Sequence, residues 1–147
     1  MSKFLWIILA FLSGTFLPIQ AGLNSKLGKA GASPIYASLI SFIIGVAALT
    51  LYVILTKETF SWAGLKTAPA YAWVGGVLGA FYVTVIILSF PKLGPGLTFG
   101  LVVAGQMCIS VLLEHFNILV EKPNPINYMR LIGIAMIVVG VIIIRKF

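Results

Sequence analysis

Charged residues divide this chain into long uncharged runs. Phe4 to Ser25 lies between Lys3 and Lys26, Ala30 to Thr56 between Lys29 and Lys57, and Thr67 to Pro91 between Lys66 and Lys92. Leu93 to Leu113 follows, between Lys92 and Glu114. A last run, Ile126 to Ile144, is interrupted only by Arg130, whose long side chain can snorkel toward lipid headgroups. A hydrocarbon core of about 30 Å takes roughly 20 mostly apolar residues in helical form. The pattern therefore predicts five crossings, at residues 4–25, 34–56, 70–90, 97–119 and 127–145. The runs are continuous, whereas the strands of membrane barrels alternate. This is the pattern of an all-α membrane protein, a single transmembrane domain over residues 1–147.

Helix punctuation agrees with these limits. Ser33-Pro34 opens the second helix and Pro69 the third, with proline just inside the start. Pro91-Lys92-Leu93-Gly94-Pro95-Gly96 predicts a turn before the fourth, and Pro123-Asn124-Pro125 a break before the fifth. Trp6, Tyr36, Tyr71, Trp73 and Tyr128 fall near helix ends, where interfacial aromatics sit. Lys3, the first apolar run and Gln20-Ala21-Gly22 also resemble a secretory signal, but the run is too long and no exported domain follows.

Composition narrows the picture. Of 147 residues, 61% are hydrophobic and only 9% charged, against roughly 45–50% and about 25% in soluble domains. Soluble enzymes, nucleic-acid-binding domains and disordered tails are excluded. The net charge of +7, from 10 basic and 3 acidic residues, at first suggests an anionic partner. Every basic residue, however, lies at or just beyond a helix end. With five crossings, Lys3, Lys57, Lys66, Lys122 and Arg130 share one side of the membrane. Lys26, Lys29, Lys92, Arg145 and Lys146 share the other. Orientation follows the side richer in Lys and Arg, and a five-to-five division offers no bias. Either one early loop dominates or chance produced the tie, or copies insert both ways and pair as an antiparallel homodimer, equivalent to a transporter with inverted repeats.

Polar residues inside the runs are the candidate chemistry, because ionisable groups at depth are costly and mark pathways. Gln20 and Asn24 stand four apart on the first helix and share a face. Gly14, Pro18 and Gly22 repeat every four residues and leave a smooth face for another helix. Gln106, Ser110 and Glu114 form a polar stripe on the fourth helix, and Glu114 is the one carboxylate within a predicted helix. In a partly dry cavity its pKa would rise toward neutrality and suit proton coupling; alternatively Glu114 and His115 sit at the membrane surface. The amides are equally readable as glue between helices. In an inverted pair, Gln20 and Asn24 of one copy lie at the depth of Glu114 in the other.

Tyr82 and His115 are candidate cavity-lining residues. Gly75, Gly76, Gly79 and Ala80 have small-xxx-small spacing, and Gly133 and Gly140 stand seven apart, suited to a dimer contact or to internal packing. Cys108, the lone cysteine, reads as a packing residue. No histidine–carboxylate cluster offers a metal site and no activated nucleophile is legible, so neither an enzyme nor a cofactor is expected.

Several segments together look familiar. Pro18-Ile19-Gln20-Ala21-Gly22-Leu23-Asn24, Ser41-Phe42 with Gly45, Gly105-Gln106 and Glu114-His115-Phe116 resemble the YdcZ-type family in order and spacing. That family has five helices and belongs to the drug/metabolite transporter superfamily, whose small multidrug resistance members work as inverted dimers. The resemblance implies secondary transport of a small solute in a bacterial inner membrane, by two inverted copies or by a chain with a homologous, oppositely oriented subunit. The family more often has Asp where this chain has Glu114. The small multidrug exporters carry their essential Glu in the first helix, where this chain has only Gln20. The expected function is a small secondary transporter, with Gln20, Asn24, Gln106, Ser110 and Glu114 along its pathway. A non-transporting accessory or assembly subunit is the alternative.

Overall fold

The structure is a computed structural model that describes residues 2–147. Its elements are α1 (Lys3–Ala30), α2 (Pro34–Thr56), a short α3 (Trp62–Lys66), a 3-10 turn (Ala70–Val74), α4 (Gly75–His115) and α5 (Tyr128–Lys146). Four helical stretches are long and apolar enough to cross a membrane: Lys3–Ala30, Pro34–Thr56, Ala70–His115 and Tyr128–Lys146. Large aliphatic and aromatic side chains such as Phe11, Leu49, Phe81 and Met136 point outward, and the buried apolar residues are few: Ala21, Ala37, Ile86, Ile87, Val111 and Val141. This inside-out distribution is what hydrocarbon as solvent permits, since apolar side chains gain nothing by leaving it.

Local chemistry sets the helix limits. α2 matches the predicted 34–56: Ser33 Oγ accepts from the Tyr36 amide at 3.4 Å, Pro34 occupies the first turn, and Lys57 (φ 52°) ends the helix. α1 runs five residues beyond the predicted 25, through Lys26 and Lys29, because lysine is a good helix former and nothing before Gly31 breaks the run. There the Gly31 amide bonds Leu27 O at 2.9 Å and the Ser33 amide bonds Gly28 O at 3.0 Å, with Ala32 left-handed at φ 53°. Asn127 Oδ1 accepts from the Arg130 amide at 3.0 Å and opens α5 close to its predicted start.

Between predicted helices three and four the structure departs from expectation. The break is not a six-residue turn; it is confined to Gly94, at φ 76° and ψ 164°, a region that only glycine enters without strain. Pro91 removes one amide donor close to this end, and Pro95 follows the break in the position where a missing N–H is harmless. Each arm of α4, 75–93 and 95–115, is roughly 30 Å long at about 1.5 Å per residue. The second arm ends at His115, short of the predicted 119, because Asn117 (φ 53°) and Leu119 (φ 59°) take left-handed backbone. The five-residue α3, capped by Ser61 Oγ on the Gly64 amide at 3.1 Å, was too short to leave a readable periodicity.

The chain forms two compact units, one ending at Pro91 and the other beginning at Lys92. In the first, α1 lies against α2, and the first arm of α4 joins them where all three approach Gly28. A Cβ there would lie 3.4 Å from Pro34 Cα, 3.5 Å from Ala37 Cβ and 3.6 Å from Ile87 Cγ2. In the second, the arm 95–115 lies against α5 through Gly96 and Gly100. The expected small-residue spacing works only in part: Gly22 meets Phe90 and Gly79 meets Phe42, whereas a Cβ at Gly14, Gly75, Gly76, Gly133 or Gly140 would meet nothing within 4 Å.

The tightest approach is at Gly100, where a Cβ would stand 2.9 Å from Val141 Cγ2 and 3.2 Å from Cγ1. Gly100→Ala should therefore lower stability by about 1–3 kcal/mol through overpacking, and Val141→Ala in the same chain should restore part of it. Thermal unfolding in detergent of the two single variants and the double variant checks this; additive losses would show that the two sites do not touch.

Candidate functional site

In the first unit, two hydrogen bonds join polar side chains across helices. Asn24, buried on α1, donates from Nδ2 to Ser41 Oγ on α2 at 3.1 Å. Ser38 donates to Pro34 O at 3.1 Å and accepts from Thr84 Oγ1 at 2.9 Å, which ties α2 to the first arm of α4. Hydrocarbon offers no water to these groups, so each must find its partner within the protein. The same bonds fix the rotation of α1 about its axis and with it the aim of Gln20, one turn before Asn24.

Gln20 is exposed and borders two spaces. Behind it lies a crevice of about 10 Å3, room for one water-sized group, lined by Leu17, Gln20, Ala21, Asn24, Tyr82 and the first arm of α4. The Tyr82 hydroxyl is buried there with no hydrogen-bond partner among the described residues. Such a group costs about 1–3 kcal/mol, which a hydrogen-bonding guest would relieve. In front lies an open groove of about 240 Å3, lined by Gln20, Ser41, Phe42, Gly45, Val46 and Leu49. Gln20, Asn24 and Tyr82, three of the residues singled out from the sequence, thus meet in one place.

The other candidates belong to the second unit. Gln106 is exposed and Ser110 half-buried on the arm 95–115, and the stripe they begin ends in an ion pair. Glu114, at the penultimate position of α4, bonds Arg130 Nη2 through Oε2. Its side chain is 33% exposed and that of Arg130 19%. Arg130 also donates through Nη1 to Asn124 O, while the Asn124 amide donates to Glu114 O at 3.1 Å. His115 Nδ1 accepts from the Ile126 amide at 3.3 Å, so this side chain braces the connection to α5. Arg130, expected to reach for headgroups, is instead engaged within the chain.

Ser38, Thr84 and Arg130 were not singled out as site residues. Serine and threonine in helices commonly bond their own backbone, so nothing local distinguishes Ser38 or Thr84 as cross-helix partners. Arg130 read as a topological charge. Gly96 and Gly100 did carry a signal, their four-residue spacing. Among the described residues no group of three or more His, Cys, Asp or Glu is placed to hold a metal ion.

Residues 5–143 match the family described as "Putative inner membrane exporter, YdcZ". The chain belongs to that family. No curated protein and no solved structure gives a match.

Two substitution series check the geometry. Asn24→Ala should lower stability by about 1 kcal/mol, the scale of an interhelical hydrogen bond in a membrane, and should cost little once Ser41 is also alanine. Glu114→Gln and Arg130→Gln should each cost about 1 kcal/mol, as suits a part-exposed pair, and their double variant less than the sum. Unfolding in detergent measures both cycles, and strict additivity in either would show that the pair contributes nothing.

Proposed function

We propose that this exporter-family chain is a secondary transporter that moves a small solute across the inner membrane by alternating access in an inverted dimer. The observation that carries the proposal is the meeting of Gln20, Asn24 and Tyr82 beside an open groove, on helices that otherwise expose aliphatic and aromatic side chains to lipid. Amides and a phenol with free hydrogen-bonding capacity orient a solute; the apolar walls of the groove accept its body.

The topology follows from the charges. Each arm of α4 is long enough for its own crossing, so the four long helical stretches give five crossings, with both termini on opposite faces. The ten basic residues then divide five and five, and copies inserted both ways supply the inverted repeat that alternating access uses. Gly133 and Gly140 on α5, open in the single chain, offer a surface for the second copy or for a homologous, oppositely oriented subunit.

Coupling is assigned to Glu114, with Gln106 and Ser110 leading to it along the same arm. Protonation of the carboxylate would give up its bond with Arg130 and loosen the connection between α4 and α5; loss of the proton would restore the pair. A proton gradient can thereby bias one arrangement of the second unit over the other.

Reconstitution into vesicles tests the proposal. Flux of the transported solute should follow an imposed pH gradient, and Glu114→Gln should abolish that dependence; flux that is undiminished and still gradient-driven would remove Glu114 from the mechanism. Labels on both termini should be accessible from both faces in native membranes. A single orientation would undermine the symmetric dimer and leave only the paired-subunit form. Purified protein that moves nothing would favour an accessory role.

A further inference from the structure

We propose that the groove between α1 and α2 binds an uncharged solute, with a hydrogen-bonding head group and an apolar body, and that it discriminates against cations and anions. This names the class of solute for the transport reading on which it rests. The groove is walled by Phe42, Gly45, Val46 and Leu49, and its polar floor is Gln20 and Ser41. The Gln20 amide offers both donors and an acceptor. Ser41 Oγ accepts from Asn24, which leaves its own hydroxyl hydrogen for a guest. Every polar group at this floor is therefore neutral, and donors and acceptors are both present.

None of the residues lining the groove is charged. Lys26, the nearest basic residue along α1, lies about 9 Å further along the axis at 1.5 Å per residue. α2 carries no charged residue between Pro34 and Thr56. The sole carboxylate in the helices of the described residues is Glu114, already bonded to Arg130. A cation entering this groove would lose its hydration and gain no counter-charge, a loss that neutral hydrogen bonds do not offset. Phe42 is the one aromatic ring of the wall, and recognition of cations by rings uses cages of several. An anion meets the same obstacle. A neutral amide, by contrast, can satisfy Gln20 and Ser41 together and lay its apolar part against Val46 and Leu49. The groove, at about 240 Å3, is smaller than the usual site for a drug-sized ligand, so the solute is correspondingly small.

Three probes of one shape separate the charges: benzamide, its planar cationic counterpart benzamidinium, and benzoate. Ligand-observed NMR titration of the purified chain in detergent, with protein-free micelles as the blank, reads binding without any need for flux. Benzamide should bind at least about tenfold more tightly than either ion. Ser41→Ala and Gln20→Leu should each weaken it by about three- to tenfold, the loss of one hydrogen bond. Gly45→Leu should abolish it, because a side chain at Gly45 enters open space and fills the groove without disturbing the helices; unchanged thermal unfolding confirms that. Benzamidinium or benzoate binding as tightly as benzamide would overturn the proposal. So would benzamide binding that survives Gly45→Leu, or no binding of any of the three. Specific benzamide binding by a chain that transports nothing in vesicles would sink the transport reading and leave this one standing.

Discussion

A polar side chain placed in hydrocarbon has no water to return to, and the rest of this structure depends on that constraint. Asn24 resolves it by donating to Ser41, and Ser38 and Thr84 resolve it together. These bonds are individually modest, but their geometry is demanding. They set which face of α1 meets α2 and which face of α2 meets the first arm of α4. Close packing at Gly28 completes the arrangement, since even a Cβ there would already stand in contact with Pro34, Ala37 and Ile87, so a small residue suits the place where α1, α2 and the first arm of α4 meet. Polar satisfaction gives direction and small residues give proximity, the division of labour expected where the hydrophobic effect does not drive helices together.

The candidate site is a by-product of the same bonds. Once Asn24 is turned inward toward Ser41, Gln20 one turn earlier faces the groove, and Tyr82 closes the crevice behind it. Ser41 serves twice, as the acceptor that holds the helices and as a polar group in the lining of the groove. The second unit handles its polar groups differently. There a formal ion pair gathers at the junction of α4 and α5, where Arg130, Asn124 and Glu114 close a small network. Charge is kept to an end of the helical arm and neutrality to the groove.

Much of the fold was legible because helix limits are set locally. The start and end of α2 follow from Ser33-Pro34 and the polar residues after Thr56, and the opening of α5 from Asn127. Where a limit depended on what a residue tolerates, reading was poorer. Pro91 looked like the end of a helix, yet the backbone continues to Leu93, because one missing donor near a terminus is a small loss and Gly94 alone can adopt the conformation that interrupts the run. α1 outlasted its apolar stretch because helix propensity does not end where hydrophobicity does.

Sequence by itself determined that the chain is helical, that it lies in a membrane, and which polar residues stand one turn apart on the same face. These follow from composition and from a period of 3.6, both properties of neighbours along the chain. Tertiary structure decided the partners. It paired Asn24 with Ser41 and Glu114 with Arg130, set His115 bracing the connection to α5, and brought Tyr82 to Gln20. The reason is physical: an amide or a carboxylate in hydrocarbon accepts whichever complementary group the packing brings within 3 Å or so, and spacing along one helix carries no information about what the next helix presents.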